Sequence, residues 1–270
     1  MKSILLLSLI VLIGLTGCVT SQIVSMEAEG LLPKQPIRII DSSNTSGITI
    51  RGQISRSDRE LASFSDNLPD GDTTSFSHFS YNVPRYQLNA EIEAILGNHF
   101  AFVAGASFGK VESKEYLGGH LGVVAFSISP TNTFRFDIGA KFQKVESEIV
   151  YTNTVNRWLQ EDLVEVVKTN SKTNYTNLYA GVTLHGNKKD VFANVFFSYL
   201  LSYQTFFDYE GNIFTKGFKL MESVHSVSVG LFKNVNNFGR IILGARITHY
   251  SFDFGETSPF DMFLQYDFFL

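Results

Sequence analysis

From residue 47 to the C-terminus, apolar and polar side chains alternate with a period of two, the mark of strands whose two faces meet different surroundings. Phe134, Phe136, Ile138, Ala140 and Phe142 alternate with Arg135, Asp137, Gly139, Lys141 and Gln143. Tyr86, Leu88, Ala90, Ile92, Ala94 and Leu96 oppose Gln87, Asn89, Glu91 and Glu93 in the same way, and Ile241, Leu243, Ala245 and Ile247 oppose Gly244, Arg246 and Thr248. The pattern predicts ten strands, near 47–55, 85–96, 99–110, 116–129, 133–145, 173–185, 190–203, 217–232, 238–252 and 260–270. In 116–129 both faces mix Gly with apolar residues, and its register stays open.

The connections alternate in length. Gly97-Asn98, Pro130-Thr131-Asn132, Gly186-Asn187-Lys188-Lys189 and Asn234-Val235-Asn236-Asn237 carry the residues of tight turns. The intervals 56–84, 111–115, 146–172, 204–216 and 253–259 fall between them, three of them long. Short and long connections therefore sit at opposite ends of one strand set, and an even strand number puts both termini at the short-turn end. No repeat or change of composition divides 47–270. The expectation is one all-β domain, an antiparallel up-and-down barrel of about ten strands, most of them about 11 to 16 residues long.

Alternation alone leaves open which face meets which solvent. A soluble barrel buries the apolar face, and a membrane barrel turns it outward. The strands exceed the roughly 5–6 residues usual in globular sheets and suit a tilted crossing of the hydrocarbon. The polar face offers Arg51, Glu91, Glu93, Asp137, Lys141, Glu222 and Arg246 among small residues. Buried charges need partners, so these seven are expected to pair across a narrow lumen. Phe260, Met262, Leu264, Tyr266, Phe268 and Leu270 share one face up to the last residue. That pattern resembles the closing strand of bacterial outer-membrane β-barrels, with Leu270 in place of the usual Phe. The resemblance implies a transmembrane barrel inserted by the assembly machinery, with outer-membrane lipid around it. The alternative is a lipid-anchored soluble barrel that binds an apolar ligand in the periplasm, with Phe134, Phe136 and Phe142 turned inward.

Ahead of the barrel, Met1-Lys2-Ser3 and the apolar run Ile4–Ile13 form a signal sequence too short to span a membrane. Leu15-Thr16-Gly17-Cys18 resembles the lipobox of bacterial lipoproteins. It implies cleavage after residue 17 and a diacylglycerol, and with it palmitate-type acylation, on Cys18. Ordinary cleavage after Ser21 is the alternative. Val19 is not the Asp of an inner-membrane retention signal, which favours the outer membrane. Residues 18–46 read as a flexible tether, about 29 residues that reach roughly 95 Å when extended, with its N-terminus in the periplasm. Ile37-Arg38-Ile39-Ile40 within it is either a short strand or a plug.

Composition narrows the function classes. Aromatics make up 14%, with 25 Phe and 11 Tyr, which favours strands. A net charge of −4 argues against a nucleic-acid partner. The single Cys excludes an internal disulfide. Six His, at 78, 99, 120, 185, 225 and 249, show no metal-ligand spacing, so no metal or cofactor is expected. His225 and His249 fall on adjacent strands. Ser77-His78 and Asp70-Gly71-Asp72 read as polar loop residues, and Trp158, near Glu161, Asp162 and Glu165, as packed on an extended hairpin rather than a contact point for a partner or glycan. No nucleophile elbow, P-loop or dinucleotide fingerprint occurs. Some small outer-membrane barrels are enzymes, among them proteases and lipid A deacylases, but no motif of theirs is present. The expectation is a non-enzymatic barrel with a narrow or plugged lumen, serving structure, adhesion or surface recognition through an unidentified extracellular partner. A rim-located hydrolase would require a Ser or Asp beside a His among the long loops.

Overall fold

A computed structural model describes residues 19–32, 34–40, 47–57, 60–65, 78–155, 163–188, 191–203, 208–209, 218–219, 223–235, 239–252 and 255–270. Cys18 and Glu222, the Asp70-Gly71-Asp72 turn, Ser77, Trp158, Glu161 and Asp162 lie outside them. The strands are β1 (Val19–Gly30), β2 (Gly47–Arg56), β3 (Glu60–Ser65), β4 (His78–Asn82), β5 (Tyr86–Leu96), β6 (Phe100–Val111), β7 (Lys114–Ile128) and β8 (Asn132–Val155). They continue as β9 (Leu163–Gly186), β10 (Asn194–Tyr203), β11 (Asp208–Tyr209), β12 (Phe218–Lys219), β13 (Ser223–Val235), β14 (Gly239–Phe252), β15 (Gly255–Thr257) and β16 (Phe260–Phe269).

Ten of these close into a barrel in the order β2, β5, β6, β7, β8, β9, β10, β13, β14, β16. β16 returns to β2 antiparallel, from Met262 opposite Arg56 to Phe269 opposite Thr49. Every other neighbour in the ring is antiparallel as well. The closed ring leaves its ten strands no free edge.

The apolar face points out. Phe134, Phe136 and Phe142 are 47%, 41% and 42% exposed, while Arg135, Asp137 and Lys141 between them are buried. β5, β14 and β16 follow the same rule, with Gln87, Glu91, Arg246 and Asp267 inside. The soluble alternative required the three phenylalanines at the centre, and it fails on this point.

β7, whose register the sequence left open, turns Tyr116, His120, Val124 and Phe126 inward and Leu117, Leu121 and Val123 outward. Its glycines make room for neighbours. A Cβ on Gly122 would lie 2.2 Å from the Tyr179 hydroxyl, and one on Gly105 of β6 would lie 2.3 Å from the His120 ring.

Tight connections at 97–99 and 129–131 mark one end, where Gly97 takes the positive φ (70°) of a sharp turn. Gly47 and Leu270 meet at this end, and the Leu270 amide donates to the Ile48 carbonyl. At the opposite end β8 and β9 continue past the barrel as a hairpin, paired from Val145–Thr173 to Val155–Leu163. The interval 146–172 was expected to be loop. Its strands escape an alternation test because exposed charges such as Glu148, Lys168 and Lys172 are not opposed by a continuous apolar row: the buried Ser147 follows Val145.

Residues 19–40 are not the expected tether. β1 runs antiparallel to the β8 extension, from Val19 opposite Val155 to Gly30 opposite Val145. β4 joins β1 in parallel, and β3 joins β4. From Gly30 the chain enters the barrel, and all described residues from Leu31 to Ile40 are buried. The placement of both termini at the short-turn end therefore holds for Gly47 and Leu270 but not for Val19, which lies at the far end. The reason is stereochemical: ten extended residues reach roughly 33 Å, the length of a barrel crossing.

Candidate functional site in the barrel lumen

Residues 31–32 and 34–40 have no strand neighbour, so their backbone polar groups need other partners. Two glutamines supply them. Gln87 accepts from the Leu32 amide and donates to the Leu32 carbonyl, both at 3.1 Å. Gln265 does the same for Ile37, at 2.7 and 2.6 Å. The Ile39 carbonyl accepts from Arg240 at 2.6 Å and the Gln35 carbonyl from Arg246 at 2.8 Å.

Alternation gives the segment two faces. Ile37 and Ile39 pack with Phe196, Phe232, Ile242 and Phe263. On the other side Ile40 packs with Ile95, Ala101, Val103, Val124 and Phe126. These clusters stop the lumen at the short-turn end. Near the long-loop end Leu31 packs with Val111 and Tyr116, and Lys34 pairs with Asp261 at 2.6 Å.

Between these stoppers lies a ring of alternating charges. Arg38 meets Glu91 at 2.5 Å, and Glu91 meets Arg51 at 3.0 Å. Arg51 meets Glu93 at 3.0 Å, and Glu93 meets Arg135 at 2.6 Å. Arg135 and Arg38 each reach Asp137 at 3.1 Å, which closes the ring. Each member has at least two partners of opposite sign, Arg51 adding Asp267 at 3.6 Å, and the six ring charges cancel, the condition under which charges survive burial. His120 adds a 2.7 Å contact from Nε2 to Glu91.

Of the residues singled out in the sequence, Arg51, Glu91, Glu93 and Asp137 come together here. Lys141 and Arg246 are also buried in the lumen but stand apart from the ring. Lys141 Nζ lies 5.6 Å from the centre of the Tyr179 ring, and Arg246 stacks on Phe263 and donates to Ser228 at 3.0 Å. The sequence reading missed Arg38, Arg135 and His120. Arg135 was visible as the inward neighbour of Asp137. The signal for Arg38 was a lone cation inside Ile37-Arg38-Ile39-Ile40. A cavity of about 30 Å³ remains between Gln35, Arg38, Asp137, Thr183, Ser198 and Arg246, room for ordered water and little more.

The fold and lumen define a closed ten-stranded barrel of the membrane-spanning type, apolar outside and charged within. No protein-family model matches the chain, and no curated protein matches it. Among solved structures, LpxR from Salmonella typhimurium is similar at 10% identity and a TM-score of 0.35, over 82% of this chain and 100% of that one. The expectation of a non-enzymatic protein rested on missing motifs alone and does not stand. A likeness of this order assigns no activity to the present chain.

Proposed function

We propose that the protein spans the bacterial outer membrane as a barrel closed by its own N-terminal segment and displays a β-sheet platform on the cell surface for recognition. The observation that carries this reading is the inverted wall: aromatic and aliphatic residues face out on every barrel strand, while the six-charge ring is sealed inside. Short turns of such barrels face the periplasm and long connections face outward. With that orientation β1, β3, β4 and the β8–β9 hairpin stand outside the cell, and Val19 stands with them. This reverses the periplasmic N-terminus expected from strand number.

An acyl chain on Cys18 then belongs to the outer leaflet. Val155 lies ten residues beyond Val145, roughly 34 Å along the strand, so a fully paired β1 holds Val19 far above the lipid. The register shift between Ile23 and Ser25 supplies the place to open. Peeling residues 19–24 from β8 frees roughly 20 Å of chain, enough to return the anchor to the membrane.

Nitroxide labels on Phe136→Cys and Leu264→Cys in the reconstituted protein test the wall. The expected result is quenching by oxygen dissolved in lipid and protection from a water-soluble nickel chelate. Strong nickel quenching at both sites contradicts the reading.

A further inference from the structure

On the outer wall, at the long-loop end of β13 and β14, the apolar belt gives way to a compact group of hydroxyl and imidazole side chains. The register places them in rows. Val227 and Ile247 are opposite each other and Ile247 is opposite Phe260; all three are exposed and apolar. One step further toward the long loops, His225 is opposite His249, and beyond that Ser223 is opposite Ser251, which is opposite Glu256. The two histidine rings lie 6.4 Å apart.

His225 is held on both ring nitrogens. Its Nδ1 lies 2.7 Å from the Tyr199 hydroxyl, and its Nε2 lies 3.1 Å from Ser223 Oγ. A nucleophile within hydrogen-bond reach of a base whose other side is fixed by a third group is the arrangement of an activated serine. With Nδ1–H donating to the Tyr199 oxygen, Nε2 is free to accept the Ser223 proton. His249 stands beside them, with Nδ1 at 3.0 Å from Ser258 Oγ and Nε2 at 3.7 Å from Glu256.

We propose that this group is an ester-hydrolysing site for acyl-ester lipids of the outer leaflet, with Ser223 as nucleophile, His225 as general base and Tyr199 as the positioning residue. The lipid substrate class rests on the membrane reading above, since the rows put Ser223 just beyond the apolar belt, at the depth where acyl esters meet headgroups. Ser223 Oγ adds to the ester carbonyl carbon as its proton passes to His225 Nε2. The ester C–O bond breaks, and the alcohol leaves with that proton. Water then adds to the acyl-serine and passes its proton through the same nitrogen to Ser223, releasing the fatty acid. The lumen takes no part, so a blocked barrel is no obstacle.

The test uses the full-length protein in detergent micelles and a fluorescent fluorophosphonate, which forms a bond only to an activated serine and needs no bilayer. Labelling of the Ser223 peptide is expected, lost in Ser223→Ala, reduced about 100-fold or more in His225→Ala, and reduced less in Tyr199→Phe. Heat-modifiable migration on gels confirms that each variant is folded. No labelling of the folded wild type, or labelling that persists in Ser223→Ala, overturns the proposal whether or not the wall contacts lipid. Vesicles of diacyl phospholipid and of lipopolysaccharide then separate the two ester sources; fatty acid released from either supports the site, and release from neither overturns it.

Discussion

The side-chain amide of Gln265 pairs with both the amide and the carbonyl of Ile37, at 2.7 and 2.6 Å, as a neighbouring strand would. A chain threaded through a lumen has lost water and gained no sheet edge, so one glutamine on the wall replaces a ladder position. Leaving a buried polar group unpaired costs about 1–3 kcal/mol. Gln265→Leu is expected to destabilise the protein by about 2–6 kcal/mol for the two groups together, read as a lower urea midpoint. The outward-facing Leu264→Val should move it far less.

Arg38 is the only member of the charge ring that belongs to the threaded segment. Removing it leaves Glu91 and Asp137 buried with fewer partners, a loss of about 3–5 kcal/mol. Arg38→Ala should therefore lower stability and loosen the segment, so that planar bilayers show brief openings absent from the wild type. Pairing Arg38→Ala with Glu91→Gln should cost less than the sum of the two single changes, because both disrupt one contact network. Strict additivity would show that the ring is not coupled.

Gly122 is small because Tyr179 occupies the space beside it. A Cβ there would lie 2.2 Å from the tyrosine hydroxyl and 2.9 Å from the Ile138 carbonyl oxygen. Gly122→Ala is expected to cost about 1–3 kcal/mol through overpacking. Gly52, whose Cβ would meet nothing within 4 Å, should accept alanine with little change, measured by the same urea transitions.

The platform has its own pH dependence. Glu146, on the β8 extension, accepts from Lys172 at 3.0 Å and Lys144 at 3.1 Å. Those hydrogen bonds, the Lys172 bond first, hold its carboxyl below the usual range. A depressed carboxyl stabilises the folded state above its unfolded value and loses that contribution as pH falls through the folded one. Amide protection in 145–155 and 163–173, normalised for intrinsic exchange, should therefore fall below pH 4.5, the ordinary glutamate value. The effect should be small because the site is partly exposed, and Glu146→Gln should remove it.

The barrel was legible wherever its two faces met opposite surroundings. Phe134 to Gln143 alternate because one side meets the apolar exterior and the other the lumen, and Phe260 to Leu270 do so apart from Phe263 and Phe269. The same logic hid the platform, whose buried positions include the small or polar Ala28, Ser80 and Ser147 and so contrast little with their exposed neighbours. It also hid the threaded segment: Ile37, Arg38, Ile39 and Ile40 are all buried, and a short apolar run with one charge does not reveal whether it pairs or plugs. Only their partners decide, and these lie 53 to 228 residues away in sequence. The Ser223–His225–Tyr199 contact was equally silent, because Tyr199 arrives from the adjacent strand.

Accessibility on intact cells tests the central claim most directly. Glu27→Cys on β1 and Thr131→Cys in a tight turn, both exposed positions, are treated with a membrane-impermeant maleimide. A barrel threaded by its own N-terminal segment predicts that position 27 is labelled on intact cells and position 131 only after the outer membrane is permeabilised. Labelling of 131 on intact cells with 27 protected would contradict it.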